Sequence, residues 1–193
     1  METGVLRSMQ RYLTSDLHLG HANIIDHCDR PFTDVEEMNE TLIQNWNQTV
    51  REQDIVFFLG DLGHFADEEQ LREWLGQLHG RIVFIEGNHD NPSRYTSGLN
   101  THQYYLLNHG DHEFCLTHAP ENVPRFWSGW IVHGHHHNND LEEHPLVDPD
   151  SKQINVSVEL TGYKPVADSE LVELTESTQT IQKKDSETVG SSS

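Results

Sequence analysis

The sequence is poor in several things, and each shortage excludes a class of protein. Cysteine occurs twice in 193 residues, as Cys28 and Cys115. Two isolated thiols make no disulfide framework and have no zinc-finger spacing, so a reducing, cytoplasmic location is expected. Lysine occurs four times, and 12 Lys plus Arg stand against 32 Asp plus Glu, a formal charge of −20. That balance disfavours extended nucleic-acid binding and anionic membrane surfaces, both of which need a basic footprint. No apolar run approaches the length of a membrane helix, and Met1 to Gln10 contain no signal-peptide core. The acids are spread along the whole chain. An even, lysine-poor acidity suits high salt, where screening makes self-repulsion tolerable; an ordinary acidic protein is the other reading. Histidine, by contrast, is abundant: 15 residues, in clusters.

Length allows one domain with a sizeable core. Residues 1–9 read as a loose leader, 10–175 as the domain, and 176–193, rich in Ser, Thr and charge, as a disordered tail. Gln10–Ser15, Asp54–Leu59 and Arg81–Ile85 read as strands. Between them lie a short helix over Asn23–Cys28, a longer one over Asp34–Val50 and a third over Asp67–Leu78. Thr33-Asp34-Val35-Glu36 has the spacing of a capping box. Met38 and Trp46 lie on the apolar side of that helix and read as core. His102–Leu107 and His112–Thr117 are expected to form a hairpin about Asn108-His109-Gly110-Asp111. Pro92–Gly98 reads as a helical turn, and Gly129–His133, Lys152–Val158 and Glu170–Leu174 as further strands. Alternating strands and helices indicate an α/β fold.

Polar clusters follow five of the apolar runs: Asp16/His18, Asp61, Asn88/His89, His118 and His135/His137. Carboxyl ends of strands are where open α/β folds place ligands. Each cluster has a bland reading alone, such as a helix-capping Asp beside a surface His. Five in one chain do not share one easily. A carboxylate and an imidazole two residues apart at a strand end point the same way and suit a divalent transition metal. His102, His109 and His112 compete with His118, which alone ends an apolar strand and precedes a proline turn.

In order and spacing, Asp16-x-His18, Gly60-Asp61, Gly87-Asn88-His89-Asp90, the lone His118 and Gly134-His135-x-His137 resemble the calcineurin-like metallophosphoesterases. The stretches from Asp16 to Ile25, Arg30-Pro31-Phe32, and Asn155 to Val166 look like a small bacterial, archaeal and phage branch of predicted phosphoesterases. The resemblance implies a four-layer α/β/β/α sandwich with a two-metal site. It implies that Asp16, His18 and His137 hold one divalent transition-metal ion, that Asn88, His118 and His135 hold the other, and that Asp61 bridges them. Manganese is foremost, with iron, zinc, cobalt or nickel as alternatives, since mixed imidazole and carboxylate donors favour these over calcium or magnesium. A water between the ions would ionise near neutral pH and attack phosphorus. His89 is the candidate general acid, and Asp90 either orients it or caps a helix. His21 is a candidate substrate contact; Arg30, Arg94 and Arg125 are candidate phosphate contacts. The expected activity is hydrolysis of small phosphate esters, with phosphodiesters such as nucleotides ahead of monoesters. The alternative is a non-catalytic metal-binding scaffold of the same fold. The oligomeric state is left open.

Overall fold

A computed structural model of the chain describes residues 8–65, 67–90 and 101–178. One sheet is built from β1 (Arg11–Thr14), β2 (Ile55–Phe58), β3 (Arg81–Ile85), β4 (Thr101–His102) and β10 (Val166–Ala167), in the order β10-β1-β2-β3-β4. Its first four strands are parallel, and β10 pairs antiparallel with β1. The other sheet holds β5 (Tyr104–His109), β6 (His112–Thr117), β7 (Trp130–His133), β8 (Val147–Asp148) and β9 (Gln153–Asn155), in the order β5-β6-β7-β9-β8. Here β6, β7 and β9 are parallel, with β5 and β8 antiparallel at the edges. Three helices, α1 (Asn23–His27), α2 (Val35–Thr49) and α3 (Glu68–Leu75), complete the first half. The mixed α/β architecture with two sheets and helices agrees with the sequence expectation.

Strand β2 explains the layering. It is apolar at every position, and successive side chains leave opposite faces of a strand. Val56 and Phe58 pack with Met38, Leu42 and Trp46 of α2 and Leu71 of α3. Phe57 turns the other way and packs between the sheets, with Phe114, Leu116, Val132 and Ile154. Both faces of the first sheet are therefore covered, by helices on one side and by the second sheet on the other. Met38 and Trp46 are core residues, as their spacing suggests, and the Trp46 indole donates to the His79 carbonyl at 2.9 Å.

Five local expectations change. The cap of α2 lies one residue later than the Thr33–Glu36 reading: Asp34 accepts from the Glu37 N–H, and Glu37 reaches back to the Thr33 N–H. Helix α3 stops at Leu75 rather than Leu78, with Gly76 at its end. The run from His102 to Leu107 divides, since 101–102 pairs with β3 and 104 onward pairs with β6. The hairpin turn shrinks to Gly110-Asp111, because His109 and His112 are paired. Glu170–Leu174 is not a strand. Residues 168–178 are helical, and we name this segment α4. Asp168, Leu171 and Thr175 are its buried positions, a three–four spacing that belongs to a helix. Glu170 accepts from the Ala167 N–H at 3.0 Å, closing the first turn. Of the expected tail, 176–178 continue α4 and 179–193 lie outside the described residues, as do Pro92–Gly98 and Arg94.

Candidate metal centre

Every cluster singled out in the sequence follows a strand's carboxyl end. Asp16 and His18 follow β1, Asp61 follows β2, Asn88 and His89 follow β3, His118 follows β6, and His135 and His137 follow β7. The loops are laced together by backbone. The Asp16 N–H donates to the Gly60 carbonyl and the His18 N–H to the Asp61 carbonyl, each at 3.0 Å, and the Gly134 N–H donates to the His118 carbonyl at 2.9 Å. A bridge between Ser15 and Ser157 joins the end of β1 to the chain just beyond β9.

The backbone at these loops is unusual. Asp16, His18, Asp61, His135 and His137 all have positive φ, between 50° and 71°. Left-handed backbone costs a residue with a Cβ about 1–2 kcal/mol, and such conformations gather where function holds them. Two glycines make the close approach sterically feasible. A Cβ on Gly87 would strike the Asp61 carboxylate, and one on Gly134 would strike Oδ2 of Asp16 and Oγ of Ser15.

The side chains form two groups that meet. His137 Nε2 stands 3.7 Å from Asp16 Oδ1, and Asp16, His18 and His137 are all buried with ligand atoms mutually in reach. Asp61 Oδ2 lies 3.5 Å from His18 Nε2 and 3.6 Å from His118 Nε2. Asn88 Oδ1 lies 2.8 Å from His118 Nε2 and 2.9 Å from His135 Nδ1. Asp61 thus stands between the groups. Burial divides them: Asp16, His18 and His137 are enclosed, as is His118, while Asn88 and His89 are exposed and His135 is half-buried.

Two atoms test whether cations fit. Asp16 Oδ1 and His18 Nε2 are buried and have no hydrogen-bond partner. An unpaired buried acceptor is expensive, and a cation between them would satisfy both. The donor set, imidazole with carboxylate and one amide oxygen, suits a borderline transition metal.

Protonation agrees with this. Burial first, then the fields of His137 and Arg30, push the His18 pKa far down, leaving a neutral imidazole ready to donate a lone pair. His137 goes the other way. Burial would lower it, but hydrogen bonding to Cys28 and Glu159 and the charges of Asp16 and Glu159 push it up to about 10. Asp61 is pushed up, by burial first and then by Asp16, against the pull of His118.

The remaining candidates separate. His21 lines the cleft, with Nδ1 3.3 Å from His18 Nδ1, and stacks on His64 at 4.3 Å between centroids. His89 lines it too; its N–H donates to Asp61 Oδ1 at 2.9 Å, and its ring lies 5.6 Å from that of His18. The Asp90 carboxylate accepts from the backbone N–H of Asp61, Leu62 and Gly87, so it ties the second and third loops together. Arg30 is not a phosphate contact. It is buried, and its guanidinium is engaged by Glu159 and by the Asp16 and Leu17 carbonyls. Arg125 is exposed and outside the cleft lining. His133 and His136 sit beside His144, with His136 stacked on it at 3.5 Å, and stay outside the ligand groups. Sequence reading missed Asn155, Ser157 and Glu159, which contact ligands from behind. The signal was present, three polar residues at a spacing of two, the first two on the expected strand Lys152–Val158 and Glu159 just past it.

Two ligand groups sharing a carboxylate, at the carboxyl edge of paired sheets, define a candidate binuclear metal centre. The family model described as "Calcineurin-like phosphoesterase" matches residues 9–173, and the chain belongs to that family. An uncharacterised protein of Methanocaldococcus jannaschii is 46% identical over 173 residues, covering 89% of this chain and 94% of that protein. The gene 66 protein of Mycobacterium phage L5 is 36% identical over 83 residues, 42% of this chain and 40% of its own. Among solved structures, a protein of unknown function from Aquifex aeolicus superposes with a TM-score of 0.66 at 22% identity, covering 86% of this chain and all of that one, which shows a shared fold. The family implies divalent metal ions and phosphate-ester chemistry. Among the described residues, no helix is long and apolar enough to cross a membrane.

Proposed function

We propose that the protein is a dinuclear, metal-dependent phosphoesterase acting on small phosphodiesters, with nucleotides as the leading substrate class. The observation that carries this is Asp61, whose Oδ2 stands 3.5 Å and 3.6 Å from histidines of two opposite ligand groups. Asp16, His18 and His137 hold one ion, and Asn88, His118 and His135 the other. When bound, the ions supply an activated water and neutralise charge on the phosphoryl oxygens. Manganese leads the donor-set argument. Asp61 orients both positions, and its Oδ1 fixes the backbone of His89. His89, exposed at the cleft, delivers a proton to the leaving oxygen. His21 contacts the substrate from the α1 side.

The cleft favours a diester. Its volume is about 690 Å3, and among the described residues its lining includes His21, Asn23, Asp26 and His27 but no Lys or Arg. A monoester near neutral pH carries between one and two negative charges on phosphate; a diester carries one. With few cations beyond the metals and Asp26 at the wall, the singly charged ester meets less repulsion.

The test is hydrolysis of bis-p-nitrophenyl phosphate against p-nitrophenyl phosphate with manganese, at low and molar potassium chloride. Chelator-sensitive diester turnover supports the proposal. Monoester turnover alone overturns the diester preference. No turnover with two ions bound favours the non-catalytic scaffold. Higher stability and activity at molar salt would support the high-salt, cytoplasmic reading of the acidity; indifference to salt would remove it.

A further inference from the structure

The chain from Asn155 to Glu159 lies outside the five motifs. Asn155 and Ser157 alternate along extended chain and so share a side, Glu159 follows in the turn over 158–160, and all three reach the same half of the centre. The Asn155 amide donates to the His137 carbonyl at 3.0 Å. The Ser157 hydroxyl donates to Asp16 Oδ2 at 2.9 Å, alongside the His135 N–H at 3.0 Å, leaving Oδ1 open. Glu159 Oε1 accepts from His137 Nδ1 at 2.9 Å, which turns Nε2 toward Asp16. Behind Glu159, Arg30 donates to the same oxygen from Nε at 2.9 Å and from Nη2 at 2.6 Å, and Nη2 also holds the Asp16 carbonyl at 2.8 Å.

Stability alone explains this poorly. Burying an ion pair costs about as much as the attraction returns, and apolar side chains often serve as well. Glu159 is also half-satisfied, since its buried Oε2 has no hydrogen-bond partner. A third group of potential ligands, Cys28 with His137 and Glu159, does not need a metal of its own, because the Arg30 guanidinium already supplies the cation there.

We infer that Glu159, braced by Arg30, is the positioning residue for the metal position of Asp16, His18 and His137, and that Ser157 performs the same service for Asp16. Glu159 fixes which nitrogen of His137 carries the proton and aims the other at the ion. This deepens the proposed two-metal function and rests on it. Partners behind a ligand typically change metal affinity 10- to 100-fold. Here the loss falls on one position only.

The experiment is calorimetric titration of manganese into the metal-stripped full-length protein, for wild type, Glu159→Gln and Ser157→Ala. Gln keeps an acceptor for Arg30 and removes the charge behind His137; Ser157→Ala leaves the ion pair untouched. Wild type takes up two ions. Glu159→Gln should bind one of them about 10- to 100-fold more weakly with the other unchanged, and Ser157→Ala should weaken the same step by less. Equal weakening of both steps, or no change in either, overturns the inference. Thermal unfolding of the stripped variants checks their fold, and if Glu159→Gln does not fold, Ser157→Ala decides by the same criterion. Fewer than two ions on wild type overturns the two-metal function itself, and the inference with it.

Discussion

The two halves of the centre are built differently. Asp16, His18 and His137 are buried and braced by Ser157, Glu159 and, through Glu159, Arg30. In the other half Asn88 is exposed beside His89 and bonds His118 and His135; His118 is buried with Nδ1 2.7 Å from the Leu59 carbonyl, and the His135 N–H donates to Asp16 Oδ2. All three ligands of the enclosed half have positive φ, whereas in the open half only His135 does. One half has all three ligands buried and bonded from behind by Ser157 and Glu159; the other has Asn88 exposed and His135 half-buried. Left-handed backbone and polar support from behind are concentrated at the enclosed position.

Substitutions can break that contrast, and the largest effect is expected where the halves join. Asp61→Ala should remove the shared carboxylate, reduce manganese uptake at both positions and abolish diester hydrolysis, as metal analysis and assay would show. Retention of two tightly held ions would separate Asp61 from the centre. Next is the open half. His89→Ala should lower kcat by about 10²–10⁴-fold with two ions still bound, the range for a lost general acid. Unchanged kcat would take His89 out of the mechanism.

The enclosed half should respond through stability. Gly134→Ala places a methyl group against Asp16 Oδ2 and Ser15 Oγ, with backbone fixed by the His118 carbonyl. It should cost about 1–3 kcal/mol in denaturant unfolding, as overpacking does, and weaken the Asp16 position. Gly110→Ala, at a hairpin turn with no neighbour within 4 Å of the added carbon but a φ of +59°, is the control for metal uptake only, since its left-handed backbone alone should cost about 1–2 kcal/mol. It should leave metal uptake alone.

Acid gives a smaller test. Burial lowers the pKa of His133 from 6.5 to about 4. Unfolded chains then take up a proton that the folded state refuses, so stability is lost as pH falls from 6.5 toward 4. His133→Gln should lose less over that range, by on the order of 2 kcal/mol, in chelator-containing unfolding curves. Parallel curves would mean that His133 titrates normally.

Much of this arrangement was legible beforehand, for a physical reason. Strands buried on both faces read as apolar runs, and the polar residues where they stop have nowhere to go but the sheet edge. Asp61 after Ile55–Phe58 and His118 after His112–Thr117 are such cases. What sequence hid depends on tertiary contact. Arg30 read as a candidate phosphate contact because its partner, Glu159, is 129 residues away. His102 and Tyr104 onward looked like one strand because nothing local marks a change of sheet. The Glu170–Leu174 error was avoidable, since the spacing of Asp168, Leu171 and Thr175 is helical.

The most direct measurement is a crystal structure with manganese, using anomalous scattering to place the ions. Two peaks are expected, one among Asp16, His18 and His137 and one among Asn88, His118 and His135, with Asp61 touching both. A single peak, or one centred on Cys28 and Glu159 instead, would contradict the two-metal account.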